Sequence, residues 1–220
     1  MLESLLEYTI TNWQSILLFS GLHVGIVSVS AAIAFLIAFP SGILLTRSRW
    51  RQYSQSVLAL ANVFQTVPSL AVIGLASALL AIIQVGIGWV PAILALVLYS
   101  ILPILSNTIV GLENVSAATI HVARGMGLSN LQILFKIEIP LALSVILAGV
   151  RTALVINIGT AALAATIGAD CLGTLIFQGI STGNTALLLA GAIPTAALAI
   201  VVDLALAYLE RLAISEGIRI

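Results

Sequence analysis

Long apolar runs without a charged side chain constrain this chain more than any other feature. Residues 24–46 carry no charge, and about 20 apolar residues suffice to cross a bilayer as a helix. Charged residues are 7% of the 220 and hydrophobic ones 61%, with mean hydropathy +1.22. A soluble domain carries roughly a quarter charged residues, so the chain is an integral membrane protein. Net charge is zero, which gives no reason to expect a nucleic-acid partner. The single Cys171 forms no internal disulfide, and one Cys with two His gives no metal-ligand spacing. No GxxxxGK[ST] nucleotide-binding sequence occurs. Any ATP-driven step would use an ATPase on another chain. No metal or cofactor is expected here, and no catalytic residue.

The chain divides into five predicted spans. Residues 1–20 hold Glu3 and Glu7 but no Lys or Arg. A signal peptide begins positively charged, so this stretch is expected to stay as an extracytoplasmic interfacial helix, with Trp13 near the headgroups. A single membrane domain then covers 21–209, and 210–220 form a cytoplasmic tail. Spans are expected at 22–46, 57–83, 89–112, 141–167 and 186–208. Gly21 and Gly25 form a GxxxG pair, either a close-packing site or a chance pair in a Gly-rich chain. Pro68 lacks the N–H that would bond the Phe64 carbonyl, so span two is expected to kink there. That kink either lines a pore or is satisfied by neighbouring helices. Residues 168–185 are Gly-rich and too broken to cross, and read as a re-entrant or surface segment on the outer side.

Orientation follows from Lys and Arg. Five spans put 47–56, 113–140 and 209–220 on one side. Those segments hold Arg47, Arg49, Arg51, Arg124, Lys136, Arg211 and Arg219, and the opposite side holds none. Positive charge marks the cytoplasm, which puts the N-terminus outside and the C-terminus inside. One cation, Arg151, falls inside span four, where a charge is costly and faces a partner or a cavity. Asp203, near the cytoplasmic end of span five, is the candidate partner. Arg151 could instead line an inner vestibule, snorkel to the interface or cap carbonyls.

Residues 113–140 are the longest polar interruption. Ala117, Ala118, Ile120, Val122, Ala123 and Met126 can share one helical face, Gly125 and Gly127 can end that helix, and 130–136 read as a second short helix. Pro140 suits the first turn of the next span. On its own this is consistent with an ordinary solvated loop. The run from His121 to Gly127, followed by Ile137-Glu138-Ile139-Pro140, resembles the cytoplasmic Glu-Ala-Ala loop of ABC-importer membrane subunits. Gly127, Ile137 and Pro140 keep the family spacing. His121 replaces the Glu, Val122 the first Ala, and Ile139 the Leu. The resemblance implies a coupling helix seated on a partner ATPase, with Ile120, His121, Val122, Ala123, Arg124, Gly125, Gly127, Ile137 and Pro140 as the coupling residues.

Other stretches resemble the osmoprotectant branch of those permeases, which imports glycine betaine, carnitine and choline. They are residues 62–71 (NVFQTVPSLA), Leu102-Pro103-Ile104 with Asn107-Thr108, 123–127, 138–143, 148–153 and 191–194. Where the family often has Gly-Ala-Gly-Gly-Leu-Gly, this chain has GADCLG at 168–173. The resemblance implies an all-α fold of the type I ABC-importer permease kind, in a bacterial inner membrane. The assembly it implies has two membrane subunits (copies or relatives), a cytoplasmic ATPase dimer that binds the ATP, and an extracytoplasmic substrate-binding protein. The substrate path is expected between spans two, three and four, near Phe64, Gln65, Thr66, Pro68, Tyr99, Asn107 and Asn157. Two other readings stand beside this one. One is an ABC permease for another solute such as an amino acid. The other is a secondary transporter without an ATPase, which would use broken helices in the same way but has only Asp203 as a membrane-embedded acid.

Overall fold

A computed structural model describes residues 2–213, and every regular element among them is helical. Helix α1 (Leu2–Thr11) is separated by Asn12 from α2 (Trp13–Leu45). The helix that carries the first candidate span thus begins at Trp13, inside the 1–20 stretch expected to form one interfacial helix, and a separate helix ends at Thr11. Leu5 and Tyr8 of α1 pack near Ile16, Leu175 and Ala190.

The second span is not a kinked helix. Helix α3 (Ser54–Thr66) and helix α4 (Ser69–Ala81) meet at 98°. Val67 is extended (ψ 131°) and Pro68 stands immediately before α4. A residue before proline is driven out of the helical region, so the helix ends there and restarts in a new direction.

Helix α5 (Trp89–Glu113) is the central helix, with most of its side chains buried. It packs on α2 and on α8 (Ile139–Ala161) through glycines. A Cβ on Gly42 would lie 2.7 Å from Thr108 Cγ2, and one on Gly149 would lie 2.6 Å from the Pro103 carbonyl. Small residues let helix backbones approach where lipid supplies no hydrophobic drive between them. By contrast, a Cβ on Gly21 would meet nothing within 4 Å, and one on Gly25 would lie 3.3 Å from the Trp89 ring.

Between α5 and α8 lie α6 (Ala117–Gly125) and α7 (Asn130–Ile133). A π-helical segment, Leu134–Glu138, then joins α7 to α8 without a break. Pro140 thus stands in the first turn of α8, as expected, although α8 follows the π turn without a break. Pro140 itself can give no backbone bond to the preceding turn, and the wider π turn stands next to the proline. Beyond α8, a 3₁₀ segment (Ala162–Ile167) leads to α9 (Leu172–Thr182), which packs on α10 (Thr185–Ala213). Residues 168–185 are therefore largely helical and partly buried. Of the expected tail, residues 214–220 with Arg219 lie outside the described residues.

Four of these helical stretches are long and apolar enough to cross a membrane, and the bent α3–α4 pair makes a fifth. One end of the bundle gathers residues 46–53 and 113–138. The other gathers α1, residues 82–88 and the segment around α9, where the Gly88 N–H donates to Ile167 O at 2.9 Å.

Candidate functional site

The site at the charged end is built around α6. The helix ends in a Schellman turn: Gly127 N–H donates to Arg124 O (2.9 Å), Leu128 N–H donates to Ala123 O (3.2 Å), and Gly127 takes φ +82°. Gly127 thus supplies the stop, and Gly125 stays within the helix. A capping box then starts α7, with Ser129 Oγ accepting from Gln132 N–H and Gln132 Oε1 accepting from Ser129 N–H at 2.8 Å. Two local signals therefore shape this hairpin before any packing acts on it.

Helix α6 has two faces. Ala123 is buried (2% exposed) and Ile120 is half-buried, so both turn toward the body. His121, Val122, Arg124, Gly125 and Met126 are exposed, as are Leu131 and Phe135 nearby. Large apolar side chains thus stand open beside a cation on this polar loop, the kind of grouping that marks interaction surfaces. Ala123 belongs to the seat of the helix and is not part of that surface. Ile137 is half-buried and Pro140 is exposed.

The second constellation surrounds the α3–α4 elbow. Pro103 lacks the N–H that would bond the Tyr99 carbonyl, and Gln65 Nε2 donates to that carbonyl at 3.2 Å. The Tyr99 hydroxyl in turn donates to the Val67 carbonyl at the break. Gln65 and Tyr99 are therefore engaged in holding the elbow, and Tyr99 is buried. Asn157 is fully buried and donates to Ser30 Oγ on α2 at 3.0 Å, so it belongs to helix packing. Asn107 donates to the Pro103 carbonyl of its own helix at 2.8 Å. Of the expected path residues, Phe64, Thr66 and Pro68 remain exposed at the elbow.

Arg151 and Asp203 meet. Nε and Nη2 of the arginine donate to Oδ1 and Oδ2 at 2.5 and 2.7 Å, joining α8 to α10. Sequence reasoning missed a second fork. Arg47 donates through Nη1 and Nη2 to Glu138 at 3.2 and 2.5 Å. The signal that could have found it is scarcity: a chain with so few acids rarely buries one without a cation.

A family model described as binding-protein-dependent transport system inner membrane component matches residues 38–214. The carnitine transport permease protein OpuCD of Listeria monocytogenes is 41% identical over 211 residues, 96% of this chain and 92% of its own. The choline transport system permease protein OpuBD of Bacillus subtilis is 41% identical over 212 residues, 96% of this chain and 91% of its own. Among solved structures, the inward-facing MetNI methionine ABC transporter aligns with a TM-score of 0.80 at 22% identity, covering 92% of this chain and 98% of its own.

Proposed function

The chain belongs to the family of binding-protein-dependent transport inner-membrane components, and from that premise we propose that it is one membrane subunit of an ATP-driven osmoprotectant importer. Its solutes are quaternary ammonium compounds such as glycine betaine, carnitine or choline. The names of the relatives support this class: carnitine for OpuCD, choline for OpuBD, and osmoprotectants for OsmW of Salmonella typhimurium, 41% identical over 90% of this chain. The chain does no covalent chemistry. It forms a translocation path with a second permease subunit, receives solute from an extracytoplasmic binding protein, and is driven by a cytoplasmic ATPase dimer that holds the ATP.

The observation that carries this reading is α6. Val122, Arg124 and Met126 are exposed on a short helix closed by its Schellman turn, at the end where loop cations collect. That clustering supports a cytoplasmic loop end, with the N-terminus outside. The path then passes the α3–α4 elbow, where Phe64, Thr66 and Pro68 are open. Against a proton-coupled carrier, Asp203, the acid of span five, is held by Arg151.

Co-purification and uptake test the reading. The chain should bring down an ATPase subunit, and Met126→Asp should reduce that recovery about tenfold, the effect of losing an anchor worth roughly 1.4 kcal/mol. Reconstituted with its partners, it should take up at least one quaternary amine in competition with the others. Recovery of no ATPase, or uptake of an amino acid and no quaternary amine, would refute it.

A further inference from the structure

We propose that Arg47 and Glu138 form a clamp that ties α2 to the π segment, so that a displacement of the coupling helix α6 is passed on to α8 instead of being absorbed at the joint between them. This rests on the reading of α6 as the ATPase contact. Arg47 stands just beyond the last turn of α2, where its Nε donates to Ile43 O at 3.3 Å. Its two terminal nitrogens reach both oxygens of Glu138, at 3.2 and 2.5 Å. One guanidinium thus ties the end of α2 to the segment after α7, with a fork geometry that lysine cannot copy.

The Glu138 side chain is only 7% exposed. A carboxylate taken that far from water depends on its partner. Glu138 is also the last residue of the π segment, an irregular turn of a kind frequent at functional sites. Left alone, such a joint would absorb a displacement of α6 and α7 before it reached α8. Clamped to α2, it cannot bend freely. A cleft of about 170 Å³ separates the clamp from α6, with Ala117 and Ile120 on its far side. A second pair, Arg51 with Glu113 at 3.3 Å, borders the same cleft but is well exposed and adds little. Arg47 and Glu138 are therefore positioning residues. They touch neither ATP nor solute.

The test uses the complete complex in vesicles, with uptake per ATP hydrolysed measured at matched amounts of assembled protein. Wild type, Arg47→Lys, Glu138→Gln and the exchanged pair R47E/E138R are compared. The two single variants should keep ATP hydrolysis and lose about threefold to thirtyfold in uptake per ATP. The exchanged pair should recover most of that loss. In parallel, the full-length chain in detergent is digested with trypsin. Glu138→Gln should speed cleavage after Arg124 and Lys136, which needs no ATPase to observe. If Glu138→Gln fails to insert, Arg47→Lys decides, because it keeps the charge and loses only the fork. Wild-type uptake per ATP in Glu138→Gln or Arg47→Lys, or an exchanged pair no better than either single variant, overturns the clamp. A wild-type complex whose ATPase ignores the loaded binding protein refutes the importer reading instead, and the trypsin comparison then still decides whether the clamp holds the loop.

Discussion

Arg151 and Asp203 show how one residue's position can be legible while its geometry is not. Both charges lie in apolar runs, which makes each expensive and a partner the simplest remedy. Depth along the two spans made the pairing one of several options. The structure adds that both guanidinium contacts are made, across α8 and α10. Arg151→Gln or Asp203→Asn leaves one charge alone between those helices and should lower the amount of folded chain extracted from membranes severalfold. The exchanged pair R151D/D203R should restore it. Chromatographic yield on a fluorescent fusion reads this out, and equal yields for all three variants would mean the pair does not hold the helices. Ala123 is the opposite case. Its place in the family pattern is visible in sequence, but which side of a nine-residue helix faces the body depends on what packs beneath it, and Ala123 turns inward at 2% exposure.

At the scale of elements, the spans were readable because length and apolarity decide them, and the hairpin of α6 and α7 because glycine and serine signals are local. The elbow was only half readable. Pro68 announces a break, but whether the chain kinks or turns through 98° depends on Tyr99, which holds the Val67 carbonyl from another helix. The same applies to Gln65. It looks like a polar residue awaiting solute, yet it serves the carbonyl that Pro103 leaves free. Gln65→Leu should therefore lower the unfolding midpoint in detergent, since stranding a buried carbonyl costs about 1–3 kcal/mol. Pro103→Ala returns an N–H to that carbonyl, so the double variant should unfold at a higher temperature than Gln65→Leu alone. If the double variant is no more stable, Gln65 does something other than satisfy Tyr99. The π segment was unreadable for a related reason: Pro140 marks the first turn of α8 but does not say whether a loop or a π turn precedes it.

For the whole molecule the question is where affinity for the solute resides. A quaternary ammonium ion has no N–H to donate and is best held by aromatic faces, each worth about 0.5–2 kcal/mol. The chain is 6% aromatic, and several of its rings are engaged elsewhere. Phe35 stacks on Phe39 at 5.0 Å between centroids, Trp50 lies against Tyr53 with Arg49 at 5.7 Å from its ring, and Tyr99 is buried at the elbow. Phe64 is exposed near the break, and one ring does not make a cage. The proposed importer would therefore divide its labour, with tight recognition in the binding protein and a membrane path weak enough to release what enters it. Calorimetry on the purified chain should accordingly detect no micromolar binding of glycine betaine, carnitine or choline, while the same titration on the binding protein should. Substituting Phe64→Ala should then change the uptake rate at saturating binding protein far more than it changes the solute concentration needed for half-maximal uptake. Micromolar binding by the isolated chain, or a Phe64→Ala effect confined to that half-saturating concentration, would place the recognition site in the membrane subunit after all.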